Sequence, residues 1–181
     1  MNERPGTPVQ SVKDLPATPW RNGRGMTRPI ISASDDEQSA WRISIATVTN
    51  GAAFSSFPGY DRIFVPLTTG RITVLQNGSE LTADPDGIVR FDGAAKVTAR
   101  VLGGPAFAVN VMTLAGHEAH LQWRIVSGDY ANNDPSIHAV ILASGSVAPF
   151  DGETISALAV VWPGTSVRCT GARLLEIRML S

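Results

Sequence analysis

The 181 residues are enough for one well-buried core, and a composition that is 43% hydrophobic and 17% charged is globular rather than disordered. With 15 basic residues against 16 acidic ones, a formal net charge of −1 and no long run of either sign, no footprint for phosphate backbones is present, so no nucleic acid is expected as a partner. A single cysteine, Cys169, excludes an intrachain disulfide framework, and no leader-like or membrane-length apolar run occurs, so no membrane partner is expected and the reading is a cytoplasmic soluble protein.

Helical periodicity is absent, whereas short β-rich runs separated by Gly, Pro, Asn and Asp recur from end to end, which predicts an all-β fold. Residues 1–12 read as a loose lead-in, followed by the polar, glycine-rich WRNGRGMTR at 20–28. The acidic DDE at 35–37 reads as a solvated loop. Strands are expected at 41–48 (WRISIATV), 61–67, 71–76, 96–102 and 107–114, then at 120–128, 137–145, 155–162 and 172–180. Asn77-Gly78 is the strongest hairpin turn, since both positions tolerate positive φ. IFVPLTTGRITV at 63–74 lies over HAVILASGSVA at 138–148, with Gly70 on Gly145, Leu67 on Leu142 and Ile72 on Val147. That echo implies two related β halves in one domain spanning 1–181, with the polar SGDYANNDPS at 127–136 as their connector.

Motifs for nucleophilic, dinucleotide or phosphate-loop chemistry are absent, and no catalytic residue is assigned. The histidines are His117, His120 and His138; the first two, three apart, lack a third ligand for zinc. Gly51 and Gly70 frame a segment at the spacing of a cupin metal motif, but Phe57, Gly59 and Ile63 stand at the ligand positions and none can donate a lone pair to a cation. The resemblance to cupins therefore points to a barrel whose metal site is replaced by the apolar turn FSSFPG, with no metal and no cofactor expected.

Along WRISIA, period two sets Arg42, Ser44 and Ala46 on one face. If that face points inward, Arg42 is a cation in a concave site suited to a carboxylate; if outward, it is a surface residue. Asp61 and Arg62, adjacent on a strand, face opposite ways and do not pair with each other, but either can pair across the sheet, which makes a structural ion pair the plainer reading of Arg62. Asn22, before Gly23, serves equally as a turn residue or an orienting amide, whereas Asn110 inside FAVNVM needs a hydrogen-bond partner if buried.

PWRNGRGMTR, WRISIATV, FSSFPGYDR, the FDG of 91–93 and NVM at 110–112, in that order and spacing, resemble the HutD/Ves family of small cupin-like proteins, most closely from Trp20 to Met112. The resemblance implies a compact bicupin β-barrel. Its HutD branch is associated with histidine breakdown, with a proposed role in sensing or limiting urocanate or a related acid, and no established catalytic activity. By position it implies a ligand site of Trp20, Arg21, Asn22, Arg42, Ser44, Phe54, Ser55, Phe57, Asp61, Arg62, Phe91, Asn110 and Met112. Members carry Lys or Arg at position 21, which fits a fixed cation and favours anion binding over covalent chemistry. This chain departs from the pattern at Pro29, where TRPI usually reads Thr-Arg-Glu-Ile, and at Ala108, where an Asp commonly opens an Asp-Phe-Asn triplet.

The leading expectation is a metal-free binding protein for a small carboxylate, such as an intermediate of histidine degradation. The alternative is a metal-independent isomerase or hydrolase with Asp61 as base and Arg62 or Arg42 stabilising negative charge. A third reading is an interaction module that forms a homodimer through a sheet edge or face.

Overall fold

The structure, a computed structural model, describes residues 7–20, 22–36, 38–68, 71–82 and 87–180. Among them the one helical segment is a 3-10 turn, Val12–Asp14, and all other regular structure is strand. The chain divides into two compact units, Pro16–Gly116 and Met1–Leu15 with His117–Ser181. The crossing thus falls at 116–117 and not at the expected connector 127–136, whose first residues continue a 14-residue strand. Nor is the N-terminal stretch only a lead-in. Strand β1 (Val9–Ser11) is hydrogen-bonded into the sheet of the unit that His117–Ser181 completes.

The Pro16–Gly116 unit contains β2 (Thr18–Pro19), β3 (Gly25–Ser32), β4 (Trp41–Val48), β5 (Ala52–Ala53), β6 (Tyr60–Pro66), β7 (Ile72–Gln76), β8 (Ser79–Glu80), β9 (Val89–Asp92), β10 (Val97–Val101) and β11 (Ala106–Leu114). These form two antiparallel sheets, β2-β3-β4-β11-β6-β9 and β5-β10-β7-β8. Asn77 and Gly78 both take positive φ (52° and 85°), and the two-residue turn they make pairs Gln76 with Ser79. One core joins the sheets: Val48, Phe64, Ala106 and Ala108 from the larger meet Ala52, Val74, Val97 and Ala99 from the smaller. Burying a side chain as large as Phe64 stabilises by about 2–3 kcal/mol.

Two sequence motifs clamp each other in this unit. Phe57 N–H donates to the Gly93 carbonyl and Gly93 N–H to the Tyr60 carbonyl, both at 2.7 Å, so the FPGY turn is tied to the FDG turn. Gly93 must lack a side chain, because a Cβ there would strike the backbone oxygens of Phe57 and Tyr60. A third motif, WRNGRG, closes similarly. Trp20 N–H donates to the Gly25 carbonyl at 2.9 Å, and the Trp20 ring lies where a Cβ on residue 25 would sit, 2.7 Å from that position.

The other unit adds β12 (Glu118–Ala131), β13 (Ile137–Pro149), β14 (Ile155–Ser156), β15 (Ala159–Val161) and β16 (Ser166–Leu180), in the order β1-β15-β13-β16-β12 with β14 on β13. The long strands bend at register shifts, as at Gly128 (φ 103°) and around Gly145 (φ 80°). Both ends of β13 and of β16 therefore reach one core, where Val140 and Val147 join Cys169 and Leu174. Gly145 cannot carry a side chain, since its Cβ would meet the Gly171 backbone. In the sequence echo, Leu67 and Leu142 are both buried, while Gly70 lies outside the described residues. On this unit the buried Glu176 carboxylate is fully engaged, by Tyr130 Oη at 3.0 Å, Arg178 Nη2 at 3.1 Å and Arg124 Nε at 3.4 Å. Desolvation first, then the Glu176 charge, push the Tyr130 hydroxyl far above its usual pKa. No helix of the described residues is long and apolar enough to cross a membrane.

Candidate functional site

Register places the candidate residues before any side chain is considered. In the larger sheet Met112 lies opposite Arg42 on one side and Arg62 on the other, so Arg42, Met112, Arg62 and Phe91 form one row across β4, β11, β6 and β9. The adjacent row runs Pro29, Ser44, Asn110, Phe64. Residues two apart on a strand share a face, and both rows contribute to the wall of a cavity of about 300 Å³, at the lower end of ligand-site volumes. Arg42 therefore faces inward, the alternative that the sequence left open.

The cavity is lined by Trp20, Arg42, Ser44, Phe54, Ser55, Phe57, Arg62, Asn110 and Met112 from the expected set. Phe91 stands behind the lining, its ring 5.1 Å from the Arg62 guanidinium. Two expected residues lie elsewhere. The Asn22 amide oxygen accepts from Arg24 N–H at 3.0 Å and its NH2 donates to the Ala53 carbonyl at 2.9 Å, which makes it a turn residue that anchors the loop. Asp61 is exposed on the strand face opposite Arg62 and does not line the cavity, which removes it as a base there. Arg21 lies outside the described residues.

Arg62 is the centre of the site. Only 6% exposed, it has Phe54, Phe57 and Phe91 around its guanidinium at 5.2, 5.6 and 5.1 Å, a cation–π cage. Its Nε and Nη2 both donate to Asn110 Oδ1, at 3.2 and 2.8 Å, and Nη1 donates to the Ser55 carbonyl at 3.1 Å. No carboxylate pairs with it among the described residues. Burial without a counter-ion lowers its pKa to about 10, so it remains a cation at neutral pH. Of the five N–H bonds of a guanidinium, one on each terminal nitrogen stays uncommitted among the described residues. Because arginine only donates, Asn110 must present its oxygen to Arg62, and its NH2 has no partner among the described residues.

The surroundings are aromatic below and polar at the rim. Trp20 sits edge-on to Phe54 at 5.7 Å and donates its indole N–H to Thr27 Oγ1 at 2.8 Å. Arg42 rests over Tyr60 at 5.8 Å, reaches the Asp36 backbone carbonyl at 3.4 Å, and has a buried Nε with no hydrogen-bond partner. Sequence reasoning missed Thr27, Pro29, Ile31, Ser34, Asp35 and Asp36, which also line the cavity. Asp35 and Asp36 belong to the acidic run read as a solvated loop, and exposed they are; the loop is tied to β4 by Arg42 Nη2, which donates to the Asp36 carbonyl, a placement that a charge run does not signal. No three His, Cys, Asp or Glu side chains converge on a common point among the described residues, and His138 has its Nδ1 2.8 Å from the Ser136 carbonyl.

The HutD family pattern matches residues 12–160. The chain belongs to the HutD family. Relatives include a 21.2 kDa protein of the hutC 3′ region of Pseudomonas putida, 34% identical over 124 residues, and protein Ves of Cronobacter sakazakii, 37% identical over 68 residues. The first match covers 62% of this chain and 61% of that relative, the second 38% of each, so the chain spans less than two thirds of the length of these two relatives. Among solved structures, a conserved protein of unknown function from Pseudomonas aeruginosa PAO1 superposes with a TM-score of 0.73 and 26% identity, covering 96% of this chain and 98% of that one. HutD from Pseudomonas fluorescens SBW25, in a formate condition, follows at 0.68 and 25% identity, over 94% and 96%. A cupin 2 barrel protein from Leptotrichia buccalis, at 8% identity and 0.54 over 86% and 89%, shares the fold alone. This HutD family member thus has the cupin-type, two-part β fold that its sequence predicts, and its family is linked to a histidine-utilisation gene region.

Proposed function

We propose that this HutD family member is a metal-free binding protein for a small carboxylate, held on Arg62 and Asn110, that buffers or reports an acid of histidine degradation in the cytoplasm. One observation carries the reading: a guanidinium 6% exposed beside a cavity, with no acidic partner among the described residues. A buried cation that lacks a counter-ion is costly, and an anion that pairs with it recovers that cost as binding energy. The two uncommitted Arg62 N–H groups and the Asn110 NH2 supply charge-assisted donors for carboxylate oxygens, while Phe54, Phe57 and Trp20 suit a flat organic body. The hutC-region relative makes acids of histidine breakdown, urocanate among them, the first ligands to test, and the formate condition of the P. fluorescens HutD structure adds a one-carbon acid.

A melting-temperature panel of urocanate, formylglutamate, formate and uncharged amide analogues tests it. Acids at millimolar concentration should raise the transition by mass action, amides should not, and Arg62→Gln should abolish the response. An unmoved transition for every acid defeats the proposal.

A further inference from the structure

Among the described residues the sheets end on short strands, with one exception. β1, β2, β5, β8 and β9, which bound their sheets, run two to four residues each. β12 runs 14, with β16 as its one strand neighbour among the described residues. Along it every second residue turns its backbone N–H and C=O away from β16, towards the place of a further strand. Edges of this length are normally blunted by lysine, proline or a bulge. Glu118–Ala131 holds no lysine and no proline, and its register shift, between Val126 and Gly128, falls beyond the regular run 118–126. The side chains of that run are sorted by face: Ala119, Leu121, Trp123 and Ile125 on one, Glu118, His120, Gln122 and Arg124 on the other. Ile125, 86% exposed, is the most exposed large hydrophobic side chain among the described residues, and Arg173 lies over the neighbouring Trp123 ring at 3.7 Å.

We infer that this edge is an interface between two copies of the chain, β12 lying antiparallel to β12 of a second copy about a two-fold axis at Gln122, so that two sheets become one. Gln122 is the midpoint of the regular run, and this register pairs the run from end to end. A two-fold axis sets each residue opposite the one equally far beyond the axis, and every contact occurs twice. Ile125 then meets the partner's Ala119 and Trp123 meets the partner's Leu121, so apolar side chains face apolar ones. On the other face Glu118 lies diagonal to the partner's Arg124, within reach for long side chains of opposite charge. Even positions meet even and odd meet odd, so outward-pointing backbone groups of one copy meet those of the other. An axis at Arg124 would instead set one guanidinium directly against another, which is unfavourable.

Sedimentation equilibrium of the full chain from about 1 to 200 μM, where an interface of modest area dissociates, reads the assembly directly. The unaltered chain should pass from monomer to dimer across that range. Ile125→Lys, which sets an ammonium on the apolar face of the edge, should raise the dissociation constant about tenfold or more and leave the circular dichroism of the chain unchanged. Single cysteines read the register, since the native Cys169 is 3% exposed and shielded from reagents. A short bifunctional thiol reagent should link Gln122→Cys to its own copy but not Glu118→Cys, which stands opposite the partner's Val126. A chain that stays monomeric at every concentration would overturn the inference. So would a dimer that Ile125→Lys leaves intact and that Gln122→Cys fails to link, because another surface would then hold it together.

Discussion

Gly93 and Phe57 exchange backbone contacts so closely that a single methyl group on residue 93 would overlap the Phe57 carbonyl oxygen. Both obstructing atoms, on Phe57 and Tyr60, are backbone, so neither can swing aside as a side chain would. Gly93→Ala should destabilise the Pro16–Gly116 unit by about 1–3 kcal/mol, the usual cost of overpacking, and should lower acid binding because Phe57 is part of the Arg62 cage. Thermal unfolding with and without ligand checks both effects.

Asn110 offers one oxygen to two nitrogens of Arg62, the position an internal carboxylate would fill. Asn110→Asp should stabilise the unliganded chain by about 1–2 kcal/mol, the gain from replacing neutral by charge-assisted hydrogen bonds, and abolish binding of external acids. Arg62 would hold the new carboxyl below its ordinary pKa. The added stability is therefore complete above the unfolded value of roughly 4 and lost as pH falls through the folded one. Melting curves from about pH 3 to pH 8 should show that loss in the variant alone.

Burial lowers the Arg62 pKa to about 10, well below that of a free guanidinium. The folded chain thus releases this proton first, so the cost of burying the cation, about 3 kcal/mol, is in force below pH 10 and relieved as pH rises toward the free guanidinium's value. Ligand binding has the opposite dependence, because it needs the charged form. Affinity for a carboxylate should be flat from about pH 6 to pH 9 and drop about tenfold per unit above pH 10, with proton uptake on binding in that range. Calorimetry in buffers of different ionisation enthalpy reads the uptake directly.

Pro29 lines the cavity at the β3 bulge, in register with Ser44. The resemblance drawn from the sequence implies a glutamate at this position. Pro29→Glu should return an acid to the wall facing the arginines and weaken binding of small carboxylates by roughly 5–30-fold, the effect of about 1–2 kcal/mol, with little change in melting temperature because the position is exposed.

The strands that alternate cleanly were legible in the sequence. WRISIATV is β4 residue for residue, and the 61–67, 71–76, 96–102 and 107–114 runs each match a strand to within a residue at either end. β3 was not, since a glycine start and Pro29 break the alternation that marks a strand; proline is tolerated there because β2 covers only the first residues of that edge. The 127–136 segment misled for a similar reason, as Gly128 marks a bulge inside β12 and its polar neighbours lie on a strand that is exposed for most of its length. Arg62 was legible as a candidate, and period two already sets Asp61 on the other face, but the lack of an acid from a neighbouring strand beside it among the described residues was not, because cross-strand register is not written in local spacing. Asp35 and Asp36 reach the cavity through a loop path that local composition does not encode.

The close seat of Trp20 on Gly25 gives the cavity an optical readout of its own. The indole is fixed by its bond to Thr27, borders the space a guest would fill, and lies near enough to the Phe54 ring to sense its displacement. Occupancy should therefore shift or quench the emission of this one fluorophore. Trp41, Trp123 and Trp162, none of which borders the cavity, supply the constant background against which it is read.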